Sequence, residues 1–140
     1  MSLYLDASVL LPTMIREAGS PRVDAFIREA AAPLSISEFT VAEVASALSR
    51  LVRTRMLEAA DAQARLADFD AWRSTDARLI DVEGADIRLA GVIVRRFDLM
   101  LRAPDALHVA ICRRLSGRLV TMDHRLAAAA ADLGVPVSLL

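Results

Sequence analysis

The sequence predicts an α/β protein in which a parallel β-sheet is covered by helices on both faces. Short apolar segments of strand length alternate with longer segments whose apolar residues recur at helical spacing. The five glycines and five prolines fall where these segments end, and neither a repeat nor a Gly/Ser-rich linker divides the chain. Because crossovers between parallel strands are right-handed, we expect a three-layer α/β/α sandwich that forms a single domain over residues 1–140.

Five short segments have the apolar composition of strands that are buried in a parallel sheet. They lie at residues 2–6, 33–37, 79–82, 119–122 and 135–139. Their lengths are typical of strands in globular proteins.

Seven helices are expected between these strands. The first follows the first strand directly and runs from residue 6 to residue 14. Ser20 is expected to cap the second helix, with Pro21 at its first position. The remaining helices are expected at residues 38–56, 59–72, 86–101, 104–115 and 126–133.

Composition excludes several classes of site. All 17 basic residues are arginine, so P-loop NTPases and Schiff-base enzymes, which need a lysine amine, are excluded. Cys112 is the only cysteine, which rules out an internal disulfide and a zinc site built from several thiolates of one chain. The net charge of −1 and the pI of about 6.1 give no overall signature of nucleic-acid binding.

The chain is expected to be cytoplasmic and to make no contact with a membrane. No apolar segment approaches the roughly 20 residues needed to cross a bilayer. Residues 1–6 lack the basic start and the long apolar stretch of a signal peptide.

Four acidic residues that are distant in sequence are expected at one edge of the sheet. Asp6 and Asp123 directly follow strands, and the carboxyl ends of parallel strands meet at the same edge. Glu43 lies about one turn into the helix that leaves the second strand. Asp105 begins the helix before the fourth strand; because that helix runs antiparallel to the strand, its first turn lies at this edge too.

Each acid alone also has an ordinary structural interpretation. Asp6 and Asp123 can cap the helices that follow them, and Asp105 can be a first-turn acid that interacts favourably with the helix dipole. Glu43 has apolar neighbours in the sequence, so it needs a partner or a metal ion, because burying an unpaired carboxylate is costly. Taken together, the four acids are better explained as a site for a divalent cation.

The ion that such a site favours is Mg²⁺ or Mn²⁺. Carboxylates that lie close together repel one another unless a cation holds them, and ligation by oxygen alone favours hard ions. These ions bind phosphate oxygens, lower the pKa of a bound water and stabilise charge during in-line displacement. The site therefore predicts hydrolysis of a phosphodiester bond.

Four segments that contain these acids resemble the PIN-domain ribonucleases, and more closely the VapC-type toxins of bacterial toxin–antitoxin pairs. They are residues 4–11 (YLDASVLL), 41–48 (VAEVASAL), 104–110 (PDALHVA) and 119–126 (LVTMDHRL). The resemblance runs nearly from end to end of the chain. It implies a PIN-like fold with the strand order 3-2-1-4-5 and an endoribonuclease that uses Mg²⁺ or Mn²⁺.

The resemblance also implies roles for individual residues. The acids Asp6, Glu43, Asp105 and Asp123 match the acidic quartet of the family. Asp6 and Asp105 are expected to bind the metal directly, and Asp123 directly or through water. Glu43 is expected to position the attacking water or a second ion.

Further residues complete the expected site. Ser8 matches a small hydroxyl residue that supports the site, and Thr121 is expected to act beside it. Arg102 and Arg125 lie nearest the acids and are candidates for contact with RNA phosphates, although each can equally be an ordinary solvated arginine. His108 is expected to be packed behind the acids and not to bind the metal.

The resemblance further implies partners. The substrate is expected to be RNA, with tRNA or rRNA favoured, and a cognate antitoxin is expected to insert a segment into a groove formed by the first helices. A homodimer or a toxin–antitoxin hetero-oligomer is expected. The alternative function is a catalytically weak PIN-fold module that binds RNA or protein. A phosphatase is disfavoured because Ser8 stands where an Asp-x-Asp nucleophile site has its second aspartate, and because lysine is absent.

Overall fold

A five-stranded parallel sheet forms the centre of the structure. The computed structural model describes residues 1–140. Its strands are Leu3–Leu5 (β1), Leu34–Ser37 (β2), Ala77–Ile80 (β3), Arg118–Thr121 (β4) and Val137–Leu139 (β5). All neighbouring strands are parallel, and their order is β3-β2-β1-β4-β5. The expected parallel sheet and the strand order 3-2-1-4-5 are therefore confirmed.

Seven α-helices surround this sheet. None of them is both long and apolar enough to cross a bilayer. They are Ala7–Met14 (α1), Ser20–Glu29 (α2), Glu38–Arg53 (α3), Ala59–Asp76 (α4), Gly84–Ile93 (α5), Ala103–Arg114 (α6) and His124–Asp132 (α7).

The helices form two layers because successive strand residues point to opposite faces of the sheet. Tyr4 and Leu119 pack into one apolar cluster, to which α5, α6 and α7 contribute. Leu5 and Val120 pack into the other cluster, on the face covered by α1 to α4. The three-layer sandwich is thus built from two separate cores.

Helix α6 contains the longest run of consecutive buried residues of any helix. Seven consecutive residues, from Ala106 to Cys112, are buried. A helix that is buried on all sides cannot shift easily, because every direction of movement meets close-packed side chains. Asp105, in the first turn of α6, is therefore carried by a rigid element.

The helix expected at residues 86–101 is wrong in its second half. Helix α5 ends at Ile93, and a short 3₁₀ turn follows at Phe97–Leu99. The Arg96 guanidinium binds both carboxylate oxygens of Asp98, at 2.9 and 2.6 Å. Residues two positions apart do not face each other on a helix, so this ion pair is incompatible with a continuous helix.

Other boundaries differ from the expectation as well: α3 ends earlier, at Arg53, and α4 continues to Asp76. Ser20 does not cap α2: its hydroxyl donates to the Pro12 carbonyl at 2.7 Å and accepts from the Glu17 N–H at 2.9 Å, which ties α1 to α2. Strand β3 begins two residues earlier than expected, directly after α4. It lies at the sheet edge, where Leu79 remains 40% exposed, so apolar content alone did not mark its bounds.

A buried ion pair ties α5 to the end of α6. Asp86 is 2% exposed, and the Arg114 Nε and Nη2 atoms donate to its two oxygens at 2.8 and 2.9 Å. Burial by itself would raise the pKa of Asp86, but Arg114 and the Glu83 N–H together hold it below its ordinary value. This pair fixes the end of α6 opposite to Asp105.

We expect Asp86→Ala to lower the free energy of unfolding by about 3 kcal/mol, because it removes a buried carboxylate that accepts two bonds from Arg114 and one from the Glu83 N–H. Arg114 then keeps only its contacts with the Glu83 carboxylate and the Asp81 carbonyl. Urea denaturation at pH 7 measures this loss. The matched control is Asp98→Ala, which breaks an exposed Asp–Arg pair and is expected to leave stability unchanged within error. Equal effects of the two substitutions would contradict the assigned role of the buried pair.

Candidate functional site

The pairing of β1 with β4 brings the first two acids to one edge of the sheet. Leu5 of β1 is the register partner of Val120 of β4. The residues that follow, Asp6 and Thr121, therefore emerge side by side, and the Thr121 hydroxyl donates to Asp6 Oδ2 at 2.7 Å. The same hydroxyl accepts the backbone N–H of Asp123 at 3.0 Å. One side chain thus joins the ends of both strands.

Asp6 is a buried carboxylate held by two hydroxyl groups. It is 4% exposed, and Ser8 Oγ donates to Oδ1 at 2.6 Å while Thr121 occupies Oδ2. Ser8 Oγ also accepts the Met122 N–H at 2.9 Å, which anchors it to the loop after β4. Burial raises the pKa of Asp6 even though both hydroxyl groups favour the charged form.

Asp123 lies at the start of α7 and caps that helix. Its Oδ1 accepts the backbone N–H groups of Arg125 and Leu126, at 2.8 and 3.0 Å. The expected role of Asp123 as a helix cap is therefore confirmed. Both capping bonds use Oδ1, so the cap does not engage the second carboxylate oxygen.

Asp105 interacts electrostatically with Asp123 across the edge. Burial raises the pKa of Asp105, and the negative charge of Asp123 raises it further, while Arg102 acts in the opposite direction. The Arg102 Nε atom lies 3.9 Å from Asp105 Oδ2, and the Arg102 side chain is 86% exposed. Arg102, a candidate for contact with RNA, therefore lies beside Asp105, and its side chain extends into solvent.

Glu43 is connected to the other acids through His108. Its Oε1 forms a short hydrogen bond with His108 Nε2, and its side chain is 30% exposed. Glu43 is thus less buried than its apolar neighbours in the sequence suggest. His108 is 2% exposed and is close enough to Asp6 and Asp105 for a positive charge on its ring, where the ring is protonated, to lower the pKa of both.

The structure therefore brings the four predicted acids to one place, which we call the acidic edge: Asp6, Glu43, Asp105 and Asp123. Thr121 connects Asp6 to the backbone of Asp123. His108 bonds to Glu43 and lies near Asp6 and Asp105. Ser8 and Thr121 both contact Asp6. The backbone of Arg125 contacts Asp123, and its side chain is exposed.

The donors at the acidic edge suit a hard cation, although they do not form a closed cage. No group of three or more His, Cys, Asp or Glu side chains is arranged to hold a metal ion. Mg²⁺ is usually bound through only one or two carboxylates and keeps several waters, so a closed cage is not required. Asp105 and Asp123, two carboxylates whose charges disfavour each other, fit such a site in donor chemistry.

Two residues of the site were not found from the sequence. Tyr4 reaches His108 Nδ1 with its hydroxyl at 2.8 Å, and Ser37 Oγ lies 2.9 Å from the same hydroxyl. A signal for Tyr4 was present: it is the only tyrosine, it stands in an apolar strand, and a buried phenol needs a hydrogen-bond partner. Ser37 gave no such signal, because it also has an ordinary role as the N-cap of α3.

We expect Asp6→Asn to stabilise the protein when divalent cations are removed. An acid whose pKa is raised by burial favours the folded state only when protonated, so the penalty is absent below its ordinary pKa of 3.8 and grows as the pH rises through the raised value. The variant should therefore melt higher than the unaltered chain at pH 7.5, by roughly 3 °C for each kcal/mol gained, and by less near pH 3.8, the ordinary pKa of the carboxyl group.

Thermal melts with EDTA at the two pH values measure this difference. Asp132→Asn, an exposed aspartate of α7, is the control and should show no such pH-dependent gain. A lower midpoint for Asp6→Asn at both pH values would contradict the assigned cost of the buried charge.

Comparisons with known proteins agree with this fold. The PIN domain model matches residues 3–132. No curated protein matches the chain. Among solved structures, VapC20 of Mycobacterium tuberculosis, described as a sarcin–ricin loop cleaving toxin, has 18% identity and a TM-score of 0.73, with 91% of this chain and 94% of that chain covered.

Two further solved structures are similar in fold as well. VapBC2 of Rickettsia felis, bound to a promoter DNA fragment, has 12% identity and a TM-score of 0.72, with 100% of this chain and 99% of that chain covered. FitAcB of Neisseria gonorrhoeae has 17% identity and a TM-score of 0.71, with 96% and 95% covered. At these identities the structures show the fold alone, whereas the family match extends over nearly the whole sequence: the chain belongs to the PIN domain family.

Proposed function

We propose that this chain is a VapC-type toxin, a metal-dependent endoribonuclease that hydrolyses phosphodiester bonds of tRNA or rRNA and is neutralised by a cognate antitoxin. The observation that carries the proposal is the acidic edge, where a buried Asp6 carboxylate shares one sheet edge with Asp105 and Asp123. The description of VapC20 as a cleaving toxin supports a nuclease.

The unfavourable ionisation of the carboxyl groups at the acidic edge supports a bound cation. Burial raises the pKa of Asp6 and of Asp105, and Asp123 adds repulsion to Asp105. An arrangement that disfavours its own charges is retained where a ligand uses it, and perturbed acids in a cluster are typical of functional sites. Since the donors are oxygens, Mg²⁺ or Mn²⁺ is the proposed ligand.

The residues divide the work of hydrolysis. Asp6, Asp105 and Asp123 would hold the ion, which supplies positive charge to the phosphate and acidifies a bound water. Ser8 and Thr121 orient the Asp6 carboxylate by occupying one lone pair on each of its oxygens. Glu43 receives a proton from the attacking water at Oε2, because His108 engages Oε1. Arg102, exposed beside Asp105, contacts a phosphate of the RNA.

We expect purified chain to cut a labelled pool of tRNA and rRNA into discrete fragments with Mg²⁺ or Mn²⁺, and not with EDTA. Asp105→Asn and Asp123→Asn should each reduce the cleavage rate by at least about a hundredfold, because each removes charge that the ion and phosphate require. Asp98→Asn, an exposed aspartate that pairs with Arg96, is the matched control and should cut normally. Gel analysis of initial rates measures all four proteins.

A second measurement distinguishes the proposed enzyme from the alternative, a binding module. Mn²⁺ binding followed by electron paramagnetic resonance should weaken strongly in Asp105→Asn. Intact RNA together with Mn²⁺ binding would mean that the pool lacked the substrate. Intact RNA without any Mn²⁺ binding would overturn the nuclease proposal and favour the module.

An apolar groove between α1, α2 and α4 suits the antitoxin segment. It encloses about 340 Å³, and most of its lining is apolar, including Leu10, Ile27, Phe69 and Trp72. Asp24, Asp68 and Arg28 also line it, so its charged lining is acidic by one charge. A segment with apolar anchors and a basic residue is therefore complementary in both polarity and charge. One of the similar structures is a toxin–antitoxin complex from Klebsiella pneumoniae, which supports a protein partner of this kind.

We expect Ile27→Glu to release the antitoxin without affecting cleavage. The substitution places an unpaired charge in the apolar groove, at a cost of about 3 kcal/mol, which corresponds to roughly a hundredfold loss in affinity. Met56→Glu, the same type of change at a residue that is 74% exposed, should bind normally. Calorimetry with the antitoxin encoded beside the toxin gene measures both, and unchanged binding of Ile27→Glu would place the antitoxin elsewhere.

Self-association is part of the same proposal. Four of the exposed large apolar residues lie within the stretch from α5 to α6, namely Ile87, Val92, Phe97 and Met100. Beside them is an apolar groove lined by Phe39, Val94, Pro104 and Leu107 among others. A face that carries both projecting side chains and a groove can pair with its own copy about a two-fold axis. A homodimer, alone or within a complex with the antitoxin, is therefore proposed.

A further inference from the structure

We propose that His108 and Tyr4 are positioning residues for the reaction: they hold the Glu43 carboxylate at the acidic edge through a directed chain of hydrogen bonds. The inference rests on the proposed function, because it assigns these residues a role in the hydrolysis. It goes beyond that function because it names two residues that are not among the four acids and do not contact the substrate. Its basis is the pattern of contacts around His108.

Both nitrogens of the His108 ring are engaged. Nε2 bonds to Glu43 Oε1, and Nδ1 lies 2.8 Å from the Tyr4 hydroxyl. The ring is packed between Tyr4 and Phe39, with centroid distances of 5.8 and 5.4 Å. Because His108 is 2% exposed, no water replaces either partner and the ring has no room to turn over.

The direction of the hydrogen bonds follows from the donors that are present. Ser37 Oγ accepts the Thr40 N–H at 3.0 Å. We assign its own proton to the Tyr4 oxygen at 2.9 Å, the shorter of its two contacts with hydroxyl groups, the other being 3.0 Å to Thr40 Oγ1. A phenol keeps its proton near neutral pH, so the Tyr4 hydroxyl then donates to His108 Nδ1, 2.8 Å away. A neutral ring then carries its proton on Nε2 and donates it to Glu43.

The chain of bonds begins and ends on one helix. Ser37 is the N-cap of α3, and Glu43 lies in α3 less than two turns further on. Between them the chain passes through Tyr4 of β1 and His108 of α6. The carboxylate is thus fixed relative to the strand that leads to Asp6 and the helix that begins beside Asp105.

Glu43 needs such a tether because its carboxylate is otherwise free to turn. Its side chain is long and 30% exposed. Without the bond to Nε2, the carboxylate can rotate into solvent and away from the acidic edge. Partners that orient reactive groups in this way typically change activity by about tenfold to a hundredfold when they are removed.

The test compares Tyr4→Phe with Glu43→Gln and with the double variant, in saturating Mg²⁺. Tyr4→Phe keeps the ring that packs on His108 and removes only the hydroxyl. We expect it to lower kcat by about tenfold or more while KM stays within about twofold, since the tether acts on a group used in the transition state. In the Glu43→Gln background the same change should add almost nothing.

Ser20→Ala provides the matched control for loss of a buried hydroxyl. Ser20 is 1% exposed and makes two hydrogen bonds away from the acidic edge. It should lower the melting temperature and leave kcat unchanged. If Tyr4→Phe behaves like Ser20→Ala, with lost stability and normal kcat, the tyrosine is structural and the inference is overturned.

A spectroscopic measurement tests the series of hydrogen bonds without an assay of RNA cleavage. The protein has only two histidines, so long-range ¹H–¹⁵N spectra at pH 8 resolve His108 once His124→Gln assigns the other. We expect a single Nε2–H tautomer in the unaltered chain and a mixture in Tyr4→Phe. An Nδ1–H tautomer in the unaltered chain, or no change in the variant, would overturn the proposed chain.

The two readouts separate the failure of this inference from the failure of the proposed function. If the unaltered chain cuts RNA and Tyr4→Phe cuts equally well, the inference alone is overturned. If the unaltered chain binds no Mn²⁺ and cuts no RNA, the proposed function fails and the reaction role of His108 fails with it. The tautomer measurement then still decides whether the hydrogen-bond chain exists.

Discussion

Because Leu5 pairs with Val120, the residues that follow them leave the sheet side by side, and a hydrogen bond of 2.7 Å joins Thr121 to Asp6. A shift of this register by one residue would turn every side chain of one strand to the opposite face. It would also separate Asp6 from Thr121 and Ser8 from the Met122 N–H. The geometry of the acidic edge therefore depends on the pairing of two very short strands, of which β1 has only three residues.

The two apolar cores enforce that register. Alternate residues of β1 and β4 enter different cores, with Tyr4 and Leu119 on one side and Leu5 and Val120 on the other. A slip would expose one set and bury the other against the wrong helices, at about 1.5–3 kcal/mol for each large side chain. This packing energy holds the strands in register although Asp105 and Asp123 repel each other at the edge. A well-packed sheet is thus what permits an unfavourable set of charges at its edge.

How much was predictable from sequence differs between strands, turns and side chains. The four acids could be placed at one edge because topology alone determines where parallel strands end and where a returning helix begins. The end of α5 at Ile93 could not be predicted, because it depends on Arg96, which binds Asp98 and also Asp132 of a distant helix. Ser20 was misassigned for a similar reason: the local pattern of a cap is indistinguishable from a serine that bonds back to the Pro12 carbonyl.

The contact between Glu43 and His108 lies beyond sequence reasoning, since it joins residues 65 positions apart whose side chains meet only after two helices pack. These two helices carry their acids in different ways. Asp105 stands on α6, which is buried along seven consecutive residues and anchored at its far end by Arg114 and Asp86. Glu43 stands on the partly exposed face of α3 and has a flexible side chain. A short acid on a rigid helix needs no further support, whereas a long one on an open face does. This difference explains why the polar network of Tyr4, Ser37 and His108 was built beneath Glu43 and not beneath Asp105.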